Sequence, residues 1–339
     1  MKKTLLLVII TMLVIALTSC TDTNKQNSIN NIQAETLSGI QNDYTKTFSG
    51  NKCGEKAYWD FNNNTLTISG SGDIYDFYVE LDPNSEKTSW ISDMPWFDLR
   101  SDITNVFISE GITRIGVNCF RGCISLKTVT LPDTLQSIGR IAFMGCWSID
   151  TIDIPDSVTS IEDEAFRGSY VKQITFGSGI SECGKCICLD CEQLEQVTFK
   201  DGIKVIGEEA FKGCRGINEV TLPDSLEIIG ETAFSQCGIK KIVFGNGLKI
   251  ISDNLFDGCK TDTLDIPEGV TSIGIGAFYG NNTVTSITFP STLTSIKKYA
   301  FTQCDSLTDI YFIGTEEQWR SIQMEKGNEI LHKANVHYQ

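Results

Sequence analysis

Apolar residues recur along most of the chain in units of 22 or 23 residues, and nine such units follow one another without a gap from 109 to 312. Within a unit, a pattern such as Leu126-x-x-Val129-x-Leu131 predicts a short strand whose alternate residues face inward. A second apolar pair follows each strand. No unit keeps a 3.6-residue apolar period over several turns, so long helices are not expected.

One position in each unit is large and apolar. It holds phenylalanine in eight of the nine units, while the fourth unit has Cys188 there. The eight are Phe120, Phe143, Phe166, Phe211, Phe234, Phe256, Phe278 and Phe301. These rings should fill the widest part of each coil, so we expect the fourth coil to be the weakest. Glycine often follows two residues later, as at Gly122 and Gly213, and predicts a corner with positive φ.

A single unit of this length cannot bury its own apolar face, whereas stacked units bury a continuous core. The repeat therefore predicts a β-rich solenoid of about nine coils with one parallel sheet, little helix and a cap at each end. We place the solenoid at residues 109–312, a β-rich N-terminal cap module at 51–108 and a C-terminal cap at 313–339.

The C-terminal cap carries the signature of a short helix. Thr315 and Gln318 have the spacing of a helix capping box, in which each side chain bonds the other residue's backbone. Trp319 would lie on this helix. We expect its ring to cover the last coil, whose apolar face would otherwise be exposed.

The first fifty residues predict an export signal and a tether. Two lysines precede an apolar stretch, Leu5 to Leu17, that is too short to span a bilayer. The sequence L-T-S-C that ends at Cys20 resembles a bacterial lipobox, which implies cleavage before Cys20 and its lipidation. We therefore predict a lipoprotein signal peptide at residues 1–19 and a lipidated, flexible tether at 20–50. An ordinary signal peptide that happens to contain a cysteine is the alternative.

The consensus of the units, L-x-x-V/I-x-L-P-x-x-L/V-x-x-I-G-x-x-A-F-x-G-C, resembles the BspA-like leucine-rich repeat of bacterial surface proteins. The segments NNNTLTISGSGDIYDF and GTEEQWRSI are similar to those that flank such arrays, so the resemblance covers residues 51–339. It implies a leucine-rich-repeat solenoid in an exported lipoprotein that is exposed on the bacterial surface. The N-terminal lipid would be its only attachment to the cell envelope. The resemblance also implies a monomeric adhesion or binding protein whose partners are proteins, such as host matrix glycoproteins or proteins of other cells.

Charge and composition narrow the function further. Lys and Arg number 28 against 43 Asp and Glu, and the net charge of −15 disfavours nucleic-acid binding. The only histidines, His332 and His337, lie near the C-terminus, and no nucleophile elbow, HExxH motif or P-loop occurs. We therefore predict no catalytic residues, no metal site and no cofactor.

Seven of the 13 cysteines share one position, three residues after the aromatic position, and should form a ladder along the solenoid. They are Cys123, Cys146, Cys191, Cys214, Cys237, Cys259 and Cys304. Export favours disulfides, but the parallel side chains of stacked coils are too far apart for good bridge geometry. We expect reduced, buried thiols that pack as small apolar groups.

A second group of cysteines, in the fourth unit, superficially resembles a metal site. Cys183, Cys186, Cys188 and Cys191 form two CxxC pairs, but a single residue separates the pairs, far fewer than in zinc ribbons. Three of the four also occupy inward positions of the repeat. We interpret them as core replacements, with a metal or redox role as the alternative.

Two columns of outward-facing residues flank the middle apolar position of each strand, and a regular polar sheet face of this kind suits extended partners. The simpler alternative is that threonine suits exposed strands. The candidate binding residues are Thr151, Asp153, Gln173, Thr175, Gln196, Thr198, Glu219, Thr221, Lys241 and Asp265.

The aromatic N-terminal module is the rival binding site. It concentrates tyrosines and tryptophans, including Trp59, Trp90 and Trp96, that could stack on sugars if they are exposed. The alternative function is therefore a carbohydrate-binding surface lipoprotein that uses this module. More often such a cluster forms the core of a cap.

Overall fold

The computed structural model describes residues 51–81 and 90–339, all within one compact unit, Phe48–Gln339. The predicted signal peptide, Cys20 and the tether lie outside the described residues. In the part of the chain that is described, no helix is both long and apolar enough to cross a membrane.

The described residues contain 25 strands, one α-helix and two 3₁₀ turns. The strands are β1 (Gly54–Asn62), β2 (Thr65–Ile74), β3 (Val79–Leu81), β4 (Trp90–Ser92), β5 (Asn105–Ile108), β6 (Ile112–Ile115), β7 (Thr128–Thr130), β8 (Ser137–Ile138), β9 (Thr151–Asp153), β10 (Ser160–Ile161), β11 (Gln173–Phe176), β12 (Glu182–Cys183), β13 (Gln196–Phe199), β14 (Val205–Ile206), β15 (Glu219–Thr221), β16 (Ile228–Ile229), β17 (Lys241–Val243), β18 (Ile250–Ile251), β19 (Thr263–Asp265), β20 (Ser272–Ile273), β21 (Ser286–Phe289), β22 (Ser295–Ile296), β23 (Asp309–Phe312), β24 (Gln323–Met324) and β25 (Asn335–Tyr338). The α-helix is α1 (Glu316–Ser321), and the 3₁₀ turns span Phe97–Leu99 and Glu329–His332.

The chain folds into a β-solenoid of parallel coils with little helix, which confirms the predicted fold class. Each coil contributes two strands rather than one. The longer strands, such as β9, β11 and β13, stack in register, and the two-residue strands, such as β8, β10 and β12, form a second parallel column.

The sequence analysis did not predict the second column, in which a glycine follows most of the two-residue strands and lets the coils approach closely. A Cβ atom on Gly139 would lie only 2.7 Å from the carbonyl carbon of Gly116 in the preceding coil. A larger residue would therefore push the coils apart. The apolar pair Leu135 and Ile138 forms the buried side of this edge, because both side chains are fully buried.

The N-terminal strands begin the stack. β1 pairs with β2 in an antiparallel hairpin, and Asn63 and Asn64 at its turn both have positive φ. The first half of β2 pairs with β5 and its second half pairs with β6. A single long strand thus supports both columns of the solenoid.

The C-terminal helix forms as the capping box predicts. The backbone N–H of Gln318 donates to Thr315 Oγ1 at 3.2 Å, and the N–H of Thr315 donates to Gln318 Oε1 at 2.8 Å. Trp319 is buried, with its ring centroid 5.7 Å from that of Phe289 and 5.4 Å from that of Phe312. β24 and β25 continue the two strand columns beyond the last repeat.

Phenylalanine rings fill the corner of every coil except the fourth, as predicted, and all eight are fully buried. Neighbouring rings are stacked, with centroids 5.1 Å apart between Phe120 and Phe143 and 5.2 Å apart between Phe211 and Phe234. Cys188 interrupts this stack. Two rings from the strand ends, Phe176 and Phe199, stack on each other nearby and meet Phe211 edge-on.

Candidate sheet-face binding site

The ten predicted binding residues lie on the longer strands, and nine of them are exposed while Thr175 is half-buried. The register aligns them in two rows along the solenoid. In one row Thr151, Gln173 and Gln196 are direct partners on adjacent strands. The predicted outward orientation of the two columns is therefore confirmed, whereas a role in binding stays a prediction.

The longer strands do not form one uninterrupted sheet. β9, β11 and β13 are hydrogen-bonded to one another, and so are β15 and β17, but no ladder joins β13 to β15 in the described residues. The predicted residues are thus divided: six lie on the first sheet, three on the second, and Asp265 lies further along on β19.

An open groove of about 890 Å³ lies over the break between β13 and β15. Five of the ten predicted residues line it: Gln173, Gln196, Thr198, Glu219 and Thr221. The other lining residues are Glu195, Val197, Phe199, Asp201, Asn218, Leu222, Pro223, Asp224, Val243, Phe244 and Gly245. The sequence analysis named five of the sixteen lining residues but not the groove, because the break belongs to no single repeat.

The groove is acidic. Its lining includes the carboxylates of Glu195, Asp201, Glu219 and Asp224 and no lysine or arginine. Lys241, just outside the lining, places its Nζ atom 2.5 Å from Glu219 Oε1. Asp224 accepts a hydrogen bond from the backbone N–H of Asn246, which stabilises the turn of the next coil. The groove therefore favours a positively charged ligand.

Apolar side chains form part of the groove between these carboxylates. Phe199 and Phe244 are half-buried there, and Val243 is 39 % exposed. Phe244 packs edge-on against the buried ring of Phe256, with centroids 5.7 Å apart. The groove can thus bury apolar side chains of a partner as well as pair with its charges.

The ladder cysteines are engaged in hydrogen bonds within the core. Six of them donate from Sγ to the carbonyl oxygen of the aromatic position one coil earlier, over 3.0–3.3 Å. The pairs are Cys146 with Phe120, Cys191 with Phe166, Cys214 with Cys188, Cys237 with Phe211, Cys259 with Phe234 and Cys304 with Phe278. Where Asn281 replaces cysteine, its Nδ2 makes the same bond to the carbonyl of Phe256 at 2.8 Å.

Burial raises the pKa of six ladder thiols, those of Cys123, Cys146, Cys214, Cys237, Cys259 and Cys304. It raises the pKa of Cys123 and that of Cys304 to about 12. Only the thiolate form of cysteine acts as a nucleophile or a metal ligand. Thiols with a raised pKa are therefore suited to packing in the core and not to catalysis or metal binding. The twelve described cysteines are all free thiols.

The four cysteines of the fourth coil fit their predicted places in the repeat. Cys183 pairs in register with Ile161 and Ile206, and Cys188 is fully buried at the aromatic position. Only Cys186 is partly exposed, and its Sγ lies 3.6 Å from a carboxylate oxygen of Glu209. Burial and that carboxylate raise the pKa of Cys186 to about 12. No group of three potential metal ligands is found in the described ranges.

Trp96, which the carbohydrate-binding alternative places in its site, lies in the core. It is fully buried, its Nε1 donates to the carbonyl of Cys119 at 2.9 Å, and its ring stacks on Phe120. That part of the alternative is therefore wrong, because aromatic content alone does not reveal exposure. The exposed aromatics among the described residues of the module are Tyr58, Tyr78 and Phe107, at 44 %, 37 % and 45 %.

The family follows from the repeats. The profile of the BspA type leucine-rich repeat region matches residues 96–218 and 204–323 in six copies, which is more than half of the chain. The chain belongs to the BspA-type leucine-rich repeat family. No protein of curated function matches it significantly.

Solved structures resemble this BspA-type chain only distantly. A leucine-rich cell surface protein from Faecalibacterium prausnitzii is 24 % identical, with a TM-score of 0.40, over 81 % of this chain and 98 % of its own. A leucine-rich repeat protein from Bacteroides ovatus is 20 % identical, with a TM-score of 0.40, over 85 % and 99 %. These TM-scores are low, so the family profile carries the assignment.

Proposed function

We propose that this BspA-type chain is a non-enzymatic binding or adhesion protein that holds protein partners on its sheet face. Membership of a leucine-rich repeat family supports a role in protein interaction, because such solenoids bind through extended surfaces. The predicted signal peptide and Cys20 support export and a lipid anchor on the bacterial surface. Host matrix glycoproteins and proteins of other cells are the proposed partners.

The observation that carries the proposal is the groove between β13 and β15. It concentrates half of the predicted residues in one concave part of the face, and it combines four carboxylates with exposed apolar surface. An extended segment with basic and apolar side chains matches that lining. Many copies on one cell would turn a weak contact into firm attachment.

The groove is tested by reversing its charge. We would screen residues 21–339 against arrayed matrix glycoproteins, mucins and glycans, and then measure Kd for each protein that binds. In the double variant Thr198→Lys, Thr221→Lys, two new ammonium groups meet a basic partner. We expect Kd to rise at least tenfold, which corresponds to a loss of about 1.4 kcal/mol in binding free energy. This is a conservative expectation, because like charges placed opposite each other across an interface can cost more than that.

The control is Thr128→Lys, Thr130→Lys, which adds two lysines at exposed threonines of β7, outside the groove. Its Kd should stay within about twofold of wild type, since surface changes away from an interface cost little. Equal weakening by both variants, or by neither, would contradict the groove as the binding site. Binding of a glycan that neither variant changes would return the carbohydrate hypothesis to the exposed tyrosines.

A further inference from the structure

Four arginines gather at the corners of the first coils, although the chain as a whole is strongly acidic. They are Arg100, Arg121, Arg140 and Arg167. The carboxylate of Glu164 lies among them, 3.3 Å from Arg140 and 2.7 Å from Arg167. Glu164 thus bridges Arg140 and Arg167, while Asp98 acts electrostatically on Arg100 and Arg167 acts on Asp190.

Arg100 and Arg121 are not ion-paired anywhere in the described residues. Arg100 lies flat on Phe97, with Cζ 3.3 Å from the ring centroid, and its Nε donates to the Phe97 carbonyl at 2.6 Å. Arg121 lies over Trp90, with Cζ 5.2 Å from the ring centroid, and makes only a long 3.4 Å hydrogen bond to Asn118. Aromatic contacts thus hold both guanidinium groups in place, and most of their five N–H donors have no hydrogen-bond partner among the residues that the structure describes.

The surroundings of Arg121 favour an added anion. Burial lowers its pKa, and the charges of three neighbouring arginines lower it further, against the opposite influence of Glu164. A guanidinium that is half-buried among like charges is stabilised by any anion that reaches it. The net charge of −15 repels anions from the molecule as a whole, so a local concentration of positive charge such as this cluster is needed to attract them.

We propose that Arg100, Arg121 and Arg140 form a binding site for sulfate-type oxyanions carried by an acidic polysaccharide. Guanidinium groups form paired hydrogen bonds with such oxygens. Arg121 and Arg167 hold the same position two coils apart, about 10 Å at the usual strand spacing. A spread of this size suits a polymer with repeated anionic groups. The site lies at the corners and not on the sheet face, so it does not depend on the proposed protein-binding groove.

Dextran sulfate and uncharged dextran are the probes, because they share a backbone and differ only in the oxyanion. We expect residues 21–339 to bind dextran sulfate, to ignore dextran, and to lose affinity as salt rises. The double variant Arg121→Gln, Arg140→Gln should lower the affinity at least tenfold. Arg140→Gln alone should weaken binding with little effect on stability, because the side chain is 55 % exposed and an exposed ion pair contributes little.

The control is the double variant Lys260→Gln, Lys298→Gln, which also removes two positive charges, both from exposed lysines. Lys298 occupies the same position in its coil as Arg140 does, but near the other end of the solenoid. The affinity of this control should change less than twofold. Absence of binding to dextran sulfate, or equal losses in the two double variants, would overturn the proposal. Inorganic sulfate is the third probe: if it binds as tightly as the polymer does per sulfate group, a polysaccharide is not the ligand.

Discussion

The corners of the coils and the sheet face belong to the same repeats, but they are constrained in opposite ways. At the corners, eight of nine aromatic positions are phenylalanine, and all eight rings are fully buried. On the face, the equivalent position is threonine on β9, glutamine on β13, glutamate on β15 and lysine on β17, and each is exposed. Stability therefore depends on the corners, whereas the face can vary and so can determine which partner binds.

Truncation of a corner ring tests this difference most strongly. Phe211 is fully buried and contacts the rings of Phe176, Phe199 and Phe234. In Phe211→Ala we expect the free energy of unfolding to fall by about 3–5 kcal/mol, because the change removes buried contacts and leaves a cavity. Urea unfolding followed by circular dichroism measures it.

The matching change on the face is Thr221→Ala, on the strand that follows this corner in the same coil. Thr221 is exposed, so its loss should change the free energy of unfolding by less than about 0.5 kcal/mol. If the two variants were equally destabilised, the corners would not be the source of stability.

The fourth coil tests whether the repeat consensus alone defines a good corner. Restoring the consensus with Cys188→Phe would be stabilising if the cysteine left a space. Phe176 and Phe199 already lie against the next corner, and Cys188 is fully buried. We therefore expect overpacking and a loss of about 1–3 kcal/mol in the free energy of unfolding.

Cys188→Ala is the comparison for that variant, because it removes volume instead of adding it. A small loss with alanine and a larger loss with phenylalanine would indicate a filled corner. A gain in stability with phenylalanine would instead support the expectation from sequence that the fourth coil is the weakest.

The sequence predicted the parts of the structure that depend on the character of single side chains. Burial of the phenylalanines, the capping box at Thr315 and the outward face of the longer strands all follow from apolar or polar character at fixed repeat positions. Trp96 shows the limit of that reasoning, because a tryptophan can be either a core residue or a binding residue.

Backbone conformation was less accessible from sequence. The residue two before the aromatic position has positive φ in every coil, and Ile141 and Thr232 adopt it at +59° and +56° although they are β-branched. Nothing in such residue types signals a left-handed corner. Stacking must impose the positive φ, since backbone hydrogen bonds join neighbouring coils on either side of each corner.

The two candidate sites arise between coils and not within them. The acidic groove lies over the interruption between β13 and β15, and the arginine cluster needs the stacking of successive corners. Comparison of the repeats position by position could have found the cluster, because Arg121 and Arg167 occupy equivalent positions. The groove could not have been found in that way.

The smallest effect is expected at the end of the sheet face, where Asp309 faces the C-terminal strand. His337 Nε2 lies 2.8 Å from Asp309 Oδ1, and the pKa of Asp309 is lowered chiefly by this hydrogen bond and secondly by Thr308. A lowered pKa stabilises the folded state at pH values above the ordinary pKa, and that stabilisation is lost as the pH falls from about 3.8 downward.

The variant His337→Phe keeps a ring against Tyr311, whose centroid lies 5.0 Å from that of His337 in the wild type, but removes the hydrogen-bond donor to Asp309. NMR titration should then show the pKa of Asp309 returning toward its ordinary value, with a smaller shift in Thr308→Val. The reverse order would assign the effect to Thr308. Because the lowered pKa stabilises the folded state at neutral pH, a small loss of stability is expected in His337→Phe, and a loss as large as that of Phe211→Ala would show that this end of the face supports the fold as the corners do.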